Sequence, residues 1–523
     1  MSAAVADEEL ASDSLSEQLV GISEPVVRAL VKVGITGLTP VQVACLPHCL
    51  KGEDILAKAK TGTGKTLAFL IPTVERLLRN LSPPEEGVDA VRSLVLSSTR
   101  ELAAQIVSQA EALTQFLPGF NIELVLGGHS IVPQRQRLDP TSSGEFPYSG
   151  VVDLMIATPG RLLEHIEGTN GLPDRLLGLE TLILDEVDQL LDGGFQRAIE
   201  SIIAQLPKKR HTLCFSATVP DKLLKVLGMA LQEGHVVVDC VGKNQEVDTH
   251  ASVEQFYMVH PLEQSMFALY ACVRKEMERN PDSYKILAFL PTARQTEFST
   301  AVLKQMGLDV MEMHARVKQN QREKVAETFR AGTKMVLLSS DVSARGVDYP
   351  DISLVLQVGA PTTPEVYVQR LGRTGRAGKS GRGILLLGDY EKVFLQKLKG
   401  LPITDLPGHD PSEDLCKVQA AAGLVDDDIA TQTYRAWISA MIGTRKSYKW
   451  SREDLIANAN LFALKVLGRE TIPALAKDFV ATVGLQGLEG LNVVDSLPSA
   501  DSSASLTALG SCASLSALGS CAS

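Results

Sequence analysis

Two series of short apolar runs, separated by stretches of helical periodicity, restrict what this chain can fold into. SLVLSS, VDLMIA, TLILD and TLCFS lie in the first series; KILAFLP, DVMEMH, MVLLSS, LVLQVG and GILLLG lie in the second. Runs this short cannot hold a stable helix. Alternating with helices such as TLAFLIPTVERLLRN, they mark strand–helix–strand units that build a parallel sheet buried on both faces. The pattern predicts an α/β chain with two tandem parallel-sheet domains, at residues 15–240 and 253–400, joined at 241–252. Residues 1–14 read as a short, solvated, disordered tail and 401–428 as an acidic connection, irregular or partly helical. Residues 429–495 show helical periodicity without a strand-like run. The stretch 496–523 contains SLTALGSCA followed by SLSALGSCA; a Ser/Ala repeat cannot bury a core, so disorder is expected.

Composition narrows the function. The net charge is −11, which disfavours bulk attraction to nucleic acid and leaves room for a local basic face. The eight cysteines form no CxxC pair, so neither a zinc site nor a disulfide framework is expected, and a reducing compartment fits. No apolar run approaches the roughly 18 residues a membrane helix needs. The acidic N-terminus lacks both an apolar signal core and the arginines of a transit peptide, so no address is readable there. A monomer is expected.

The chemistry begins at AKTGTGKT, residues 59–66, which follows a strand-like run and opens a helical pattern. It matches GxxxxGK[ST] except that Ala59 replaces the first glycine. Lys60, Thr61, Gly62, Thr63 and Gly64 supply backbone N–H groups that cradle phosphate, Lys65 adds a point charge, and Thr66 offers a hydroxyl to Mg²⁺. Downstream, LILDEVDQLL places Asp185, Glu186 and Asp188 directly after an apolar run. Acids there can simply cap a helix. With a phosphate loop present, Asp185 becomes the candidate metal ligand, and Glu186 the candidate for holding and polarising a water.

At this point the residues resemble the DEAD-box family of superfamily 2 RNA helicases, with DEVD for the family's tetrad. The resemblance implies two RecA-like domains, ATP and Mg²⁺ as cofactors, and hydrolysis of ATP to ADP and phosphate stimulated by RNA. RNA partners would be single strands and short duplexes, gripped by the backbone with little sequence specificity. In LTPVQ, Gln42 would read adenine. Thr99 and Arg100 of STREL, Gly127 and Gly128, and Thr158, Pro159, Gly160 and Arg161 of TPGR would hold RNA. In the second domain so would Gln319 and Arg322 of QNQREKVAETF and Ser340 and Asp341 of SSDVSARGVD, whose Gly346 and Asp348 would contact nucleotide. Asp188, Ser216, Thr218, Gln369 and Arg370 would couple hydrolysis to RNA. Arg373 and Arg376 of QRLGRTGR would reach the γ-phosphate as arginine fingers.

The resemblance is nearest to the organellar and fungal mitochondrial RNA chaperones, which carry a helical C-terminal extension; it suggests a mitochondrion or plastid, while the lack of a readable address leaves cytoplasm or nucleus open. Residues 430–478 hold eight Lys/Arg against four Asp/Glu. By the resemblance Arg445, Lys446, Lys449 and Arg452 would meet RNA phosphates there, while Tyr434, Trp437, Tyr448 and Trp450 pack or stack. Several positions depart from the family. Glu17 stands where an aromatic residue stacks on adenine, Ser98 replaces Pro and Val187 replaces Ala. Gln369 replaces His, keeping a hydrogen bond to Asp188 or Thr218 but losing the ring. Weakened coupling at Gln369 would favour an alternative, an ATP-gated RNA clamp that scarcely unwinds.

Overall fold

A computed structural model describes residues 18–59, 62–79, 89–141, 150–192, 194–219, 221–240, 253–341, 349–375, 381–408 and 414–496. Lys60, Thr61, Gly346, Asp348, Arg376, Glu17, the 241–252 joint and the two tails, save residue 496, lie outside the described residues.

The strands of the first sheet are β1 (Ile55–Lys58), β2 (Ser93–Leu96), β3 (Ile122–Val125), β4 (Leu154–Ala157), β5 (Thr181–Leu184), β6 (His211–Ser216) and β7 (Val236–Asp239). Those of the second are β8 (Val253–His260), β9 (Lys285–Leu290), β10 (Met311–Met313), β11 (Met335–Ser340), β12 (Leu354–Val358), β13 (Gly381–Gly388) and β14 (Ile403–Asp405). The spatial orders are β3-β4-β2-β5-β6-β1-β7 and β10-β11-β9-β12-β13-β8-β14. Counted from its own first strand, each sheet therefore has the same order, and the pairings are parallel throughout. The strands are buried because helices cover both faces. The helix Lys65–Arg79, for example, turns Phe69, Leu70, Ile71, Val74 and Leu77 inward, and Phe69 meets Phe215 of β6 at 5.4 Å between centroids.

Strand order explains why motifs far apart in sequence converge. β6 pairs with β1 on one side and with β5 on the other. The phosphate loop, Ser216 and the DEVD acids thus leave neighbouring carboxyl ends, the edge where parallel sheets bind ligands.

Two expectations need correction. The segment expected as a connection, irregular or partly helical, contributes β14, which pairs with β8 as the seventh strand of the second sheet; its helix is Leu415–Gly423. Three residues at a sheet edge need no apolar run, so periodicity does not reveal them. For the same reason the extension contains a two-residue parallel pairing, β15 (Leu475–Ala476) with β16 (Val493–Val494), where no strand was expected.

The extension shares one apolar core with the second domain. Trp437 and Tyr434, on the helix Asp427–Thr444, lie in the same cluster as Phe298 and Leu356. Trp437 stacks on Phe462 at 5.0 Å, and Tyr390 of the second domain packs against Trp450 at 4.7 Å and Tyr448 at 5.2 Å. Tyr434, Trp437, Tyr448 and Trp450 pack within the protein, and Tyr434 and Trp437 have no surface to offer a base.

Candidate active site

The phosphate loop turns on glycines with positive φ: Gly62 at 78° and Gly64 at 89°. A Cβ on Gly64 would lie 2.5 Å from Nε2 of Gln42, so the loop requires glycine there. The Gln42 amide donates to Gly64 O at 3.0 Å and accepts from Thr39 N–H at 2.9 Å. It therefore joins the cap of its own helix, Pro40–Lys51, to the loop. Ala59 is buried and donates its N–H to Ser216 O; Thr66 is half-buried in the first turn of the following helix.

Lys65 and Asp185 are both buried, and Lys65 Nζ and Asp185 Oδ1 have no hydrogen-bond partner among the described residues. Burial, with the adjacent Glu186 charge, pushes the Asp185 carboxyl well above the usual carboxylate range, and Lys65 pulls it down. A buried carboxylate oxygen without a donor among the described residues fits a hard oxygen-seeking cation. A buried ammonium without an acceptor fits phosphate. Glu186 sits at φ 50°, a left-handed conformation that a non-glycine residue adopts at a cost of roughly 1–3 kcal/mol.

The two domains meet over these groups. A pocket of about 20 Å³, room for a single water, is lined by Lys65, Glu186, Asp188, Gln189 and Ala217 from one side and Phe289, Asp341, Val366, Gln369, Arg370 and Arg373 from the other. Asp188 Oδ2 accepts from Thr218 N–H and Oγ1–H, both at 3.1 Å, and Ser216 Oγ–H donates to Thr218 O at 2.6 Å. The expected coupling residues of the first domain are thus one network. Across the cleft, Arg370 donates twice to Asp341 at 2.6 Å each, a bidentate pair that holds the helix Pro364–Leu371 against β11. Asp341, expected at RNA, is placed in that pair. Gln369 accepts from Gln189 Nε2–H at 3.0 Å, not from Asp188 or Thr218.

A second interdomain cluster gathers residues expected at RNA. Arg100 lies over Gly128, where a Cβ would fall 2.1 Å from Nη1, and donates to Gln319 of the second domain at 3.1 Å. Arg322 forms a buried ion pair with Glu101, and His129 meets Glu323 at 3.2 Å. Thr99 caps the helix Arg100–Thr114. Thr158 Oγ1 accepts from Gly127 N–H at 3.5 Å, Pro159 opens the helix Pro159–Gly168, and space around Gly160 is open. Ser340 ends β11, buried.

Arg161 is a correction. It is buried and donates to Gln134 at 2.7 Å, His129 O at 2.9 Å and Glu164 at 2.9 Å, so it braces the first domain from within. In the extension Arg445 donates to Trp450 O at 3.2 Å, while Lys446, Lys449 and Arg452 are exposed. Glu101 and Gln189 were not anticipated. Glu101 sat unremarked inside STREL; nothing in the string DEVDQ distinguishes Gln189 from a surface glutamine.

Comparison with known proteins agrees with this geometry. Residues 39–226 match the DEAD/DEAH box helicase model and residues 268–378 the helicase conserved C-terminal domain. DEAD-box ATP-dependent RNA helicase 26 of Arabidopsis thaliana is 40% identical over 473 residues, covering 89% of this chain and 53% of that protein. Helicase 25 of the same plant is 39% identical over 480 residues, covering 90% and 82%. The chain thus spans about half the length of the first relative and most of the second. A structure of Mss116p (NTE and C-tail double deletion) bound to ssRNA and AMP-PNP superposes with a TM-score of 0.79 at 26% identity, covering 91% of this chain and 94% of that one. The fold is also that of S. cerevisiae Dbp5 bound to RNA and ADP BeF3 (TM-score 0.63, 21% identity, 78% and 99% covered). The chain belongs to the DEAD-box ATP-dependent RNA helicase family.

Proposed function

We propose that this chain is an RNA-dependent ATPase that couples ATP hydrolysis to separation of short RNA duplexes and remodelling of structured RNA. One observation carries the reading. Buried Lys65 Nζ and Asp185 Oδ1 lack partners among the described residues, and Gln369, Arg370 and Arg373 of the second domain share a pocket with Lys65 and Glu186.

Lys65 and the loop N–H groups hold the phosphates of ATP. Asp185 and Thr66 would hold Mg²⁺, which would supply positive charge at those phosphates. Glu186 orients the attacking water and accepts its proton. Arg373, reaching from the other domain, and Arg376 stabilise charge on the transferred phosphoryl group; such fingers contribute on the order of 10³- to 10⁵-fold. Hydrolysis then depends on closure. Thr99, Arg100, Gly127, Gly128, Thr158, Pro159, Gly160, Gln319 and Arg322 are assigned to the RNA-facing side, where contacts go to sugar and phosphate and carry little sequence information. Lys446, Lys449 and Arg452 extend that basic surface.

Strand separation with a labelled short RNA duplex tests the proposal. ATP should drive separation by the native chain and not by Glu186→Gln. RNA-stimulated ATP turnover without strand separation would replace the helicase reading with the RNA clamp.

A further inference from the structure

The bond between Gln189 and Gln369 is used by none of the roles above. Gln189 follows the DEVD tetrad on the short helix Val187–Asp192 and is buried. Its backbone N–H donates to Asp188 Oδ1 at 3.0 Å. Its side-chain Nε2 crosses the cleft to Gln369 Oε1 at 3.0 Å, and both glutamines line the small pocket with Lys65, Glu186 and Arg373. We infer that Gln189 and Gln369 form an interdomain amide bridge that positions the second domain's arginine helix over the DEVD acids, so that coupling runs through Gln189.

Three features support this. The first is placement. Gln369 immediately precedes Arg370, which Asp341 holds bidentately, and Arg373, just past the end of the helix, donates its N–H to Arg370 O. Fixing Gln369 therefore fixes where Arg373 enters the pocket. On the other side, Gln189 adjoins Asp188, whose second oxygen is bound by Thr218. The bridge joins two rigid networks that each belong to a single domain.

The second feature is burial. Gln189 Oε1 has no partner among the described residues and is shielded from solvent, so the side chain already tolerates one unmet group and depends on Gln369 for the other. Loss of Gln369 leaves the whole amide buried and unpaired in the closed form, while the open form hydrates it. That asymmetry shifts the closed population down by roughly 5- to 100-fold.

The third is charge. Lys65, Asp185, Glu186, Asp188, Arg370 and Arg373 crowd this seam. A neutral amide pair spans it without a further buried ion, and its strength does not vary with pH.

The inference rests on the RNA-dependent ATPase reading, so the test separates the two. ATP turnover is measured against single-stranded RNA concentration for the full native chain, Gln189→Ala, Gln369→Ala and the double variant, with thermal melts to confirm folding. The native chain must first show RNA stimulation; if it does not, the functional reading fails and this inference with it. Given stimulation, each single variant should raise the half-stimulating RNA concentration by about 5- to 100-fold, and the double variant no further than the worse single. Gln369→His, which keeps an acceptor nitrogen, should recover more of the response than the apolar Gln369→Leu. Multiplying effects in the double variant, an unchanged RNA response, or equal behaviour of Gln369→His and Gln369→Leu would each overturn the bridge while leaving the ATPase reading in place.

Discussion

Replacing Glu101 by glutamine should disable closure while leaving both domains folded. Glu101 and Arg322 pair across the interface with only 3% and 7% of their side chains exposed. Removing one member of a buried pair costs about 3–5 kcal/mol, because the remaining ion keeps its desolvation penalty without its partner. With the domains apart, water hydrates Arg322 and the cost disappears. The whole penalty therefore falls on the closed form, shifting closure by about two to three and a half powers of ten at 1.4 kcal/mol per tenfold. The assay is binding of labelled single-stranded RNA in the presence of a non-hydrolysable ATP analogue. Half-saturation should move at least about 100-fold, with the melting temperature of the ligand-free chain unchanged. RNA binding by Glu101→Gln within threefold of the native chain would refute the reasoning.

Other consequences are equally direct. Gly128→Ala places a methyl group on the Arg100 guanidinium at a residue with φ 87°; single-stranded RNA affinity should fall several-fold, measured by titration at fixed salt. Arg469 donates to the carbonyls of Leu467, Val425, Ala422 and Gly423 and to Asp427. Arg469→Ala should destabilise the extension by about 2–3 kcal/mol, seen as a lower melting temperature and faster proteolysis. His165 and His211 are buried and held neutral, their pKa values lowered to about 4 chiefly by burial. Below about pH 6.5 the unfolded chain binds protons that the folded chain refuses, so stability should decline as pH falls from 6.5 to 4. His165→Gln should flatten part of that decline in melts across the range.

Much of the site was legible because its chemistry demands particular residues in particular local strings. Gly62, Gly64 and Lys65 must follow a strand and open a helix, and Asp185 and Glu186 must end another, whatever surrounds them. The paired sheets were legible for a related reason, since short apolar runs at regular spacing have few other solutions. Residues whose value lies in what faces them were not. Gln189 and Glu101 matter because Gln369 and Arg322 stand opposite, and no local pattern carries that information. Arg161 shows the converse error. An arginine in an RNA-like motif is read as a phosphate contact, whereas burial among Gln134, His129 and Glu164 commits its donors inward. In the extension the sequence left open whether the aromatic residues pack or stack; the rings close the joint with the second domain, while Lys446, Lys449 and Arg452 stay exposed.

The account turns on hydrolysis that waits for domain closure, and ATP turnover by the full chain with and without single-stranded RNA measures that dependence. Turnover should be near zero without RNA, rise strongly with it, and vanish in Glu186→Gln at every RNA concentration. Turnover indifferent to RNA would contradict the account, because the pocket shared by Lys65, Glu186 and Arg373 would then be complete without the event meant to assemble it.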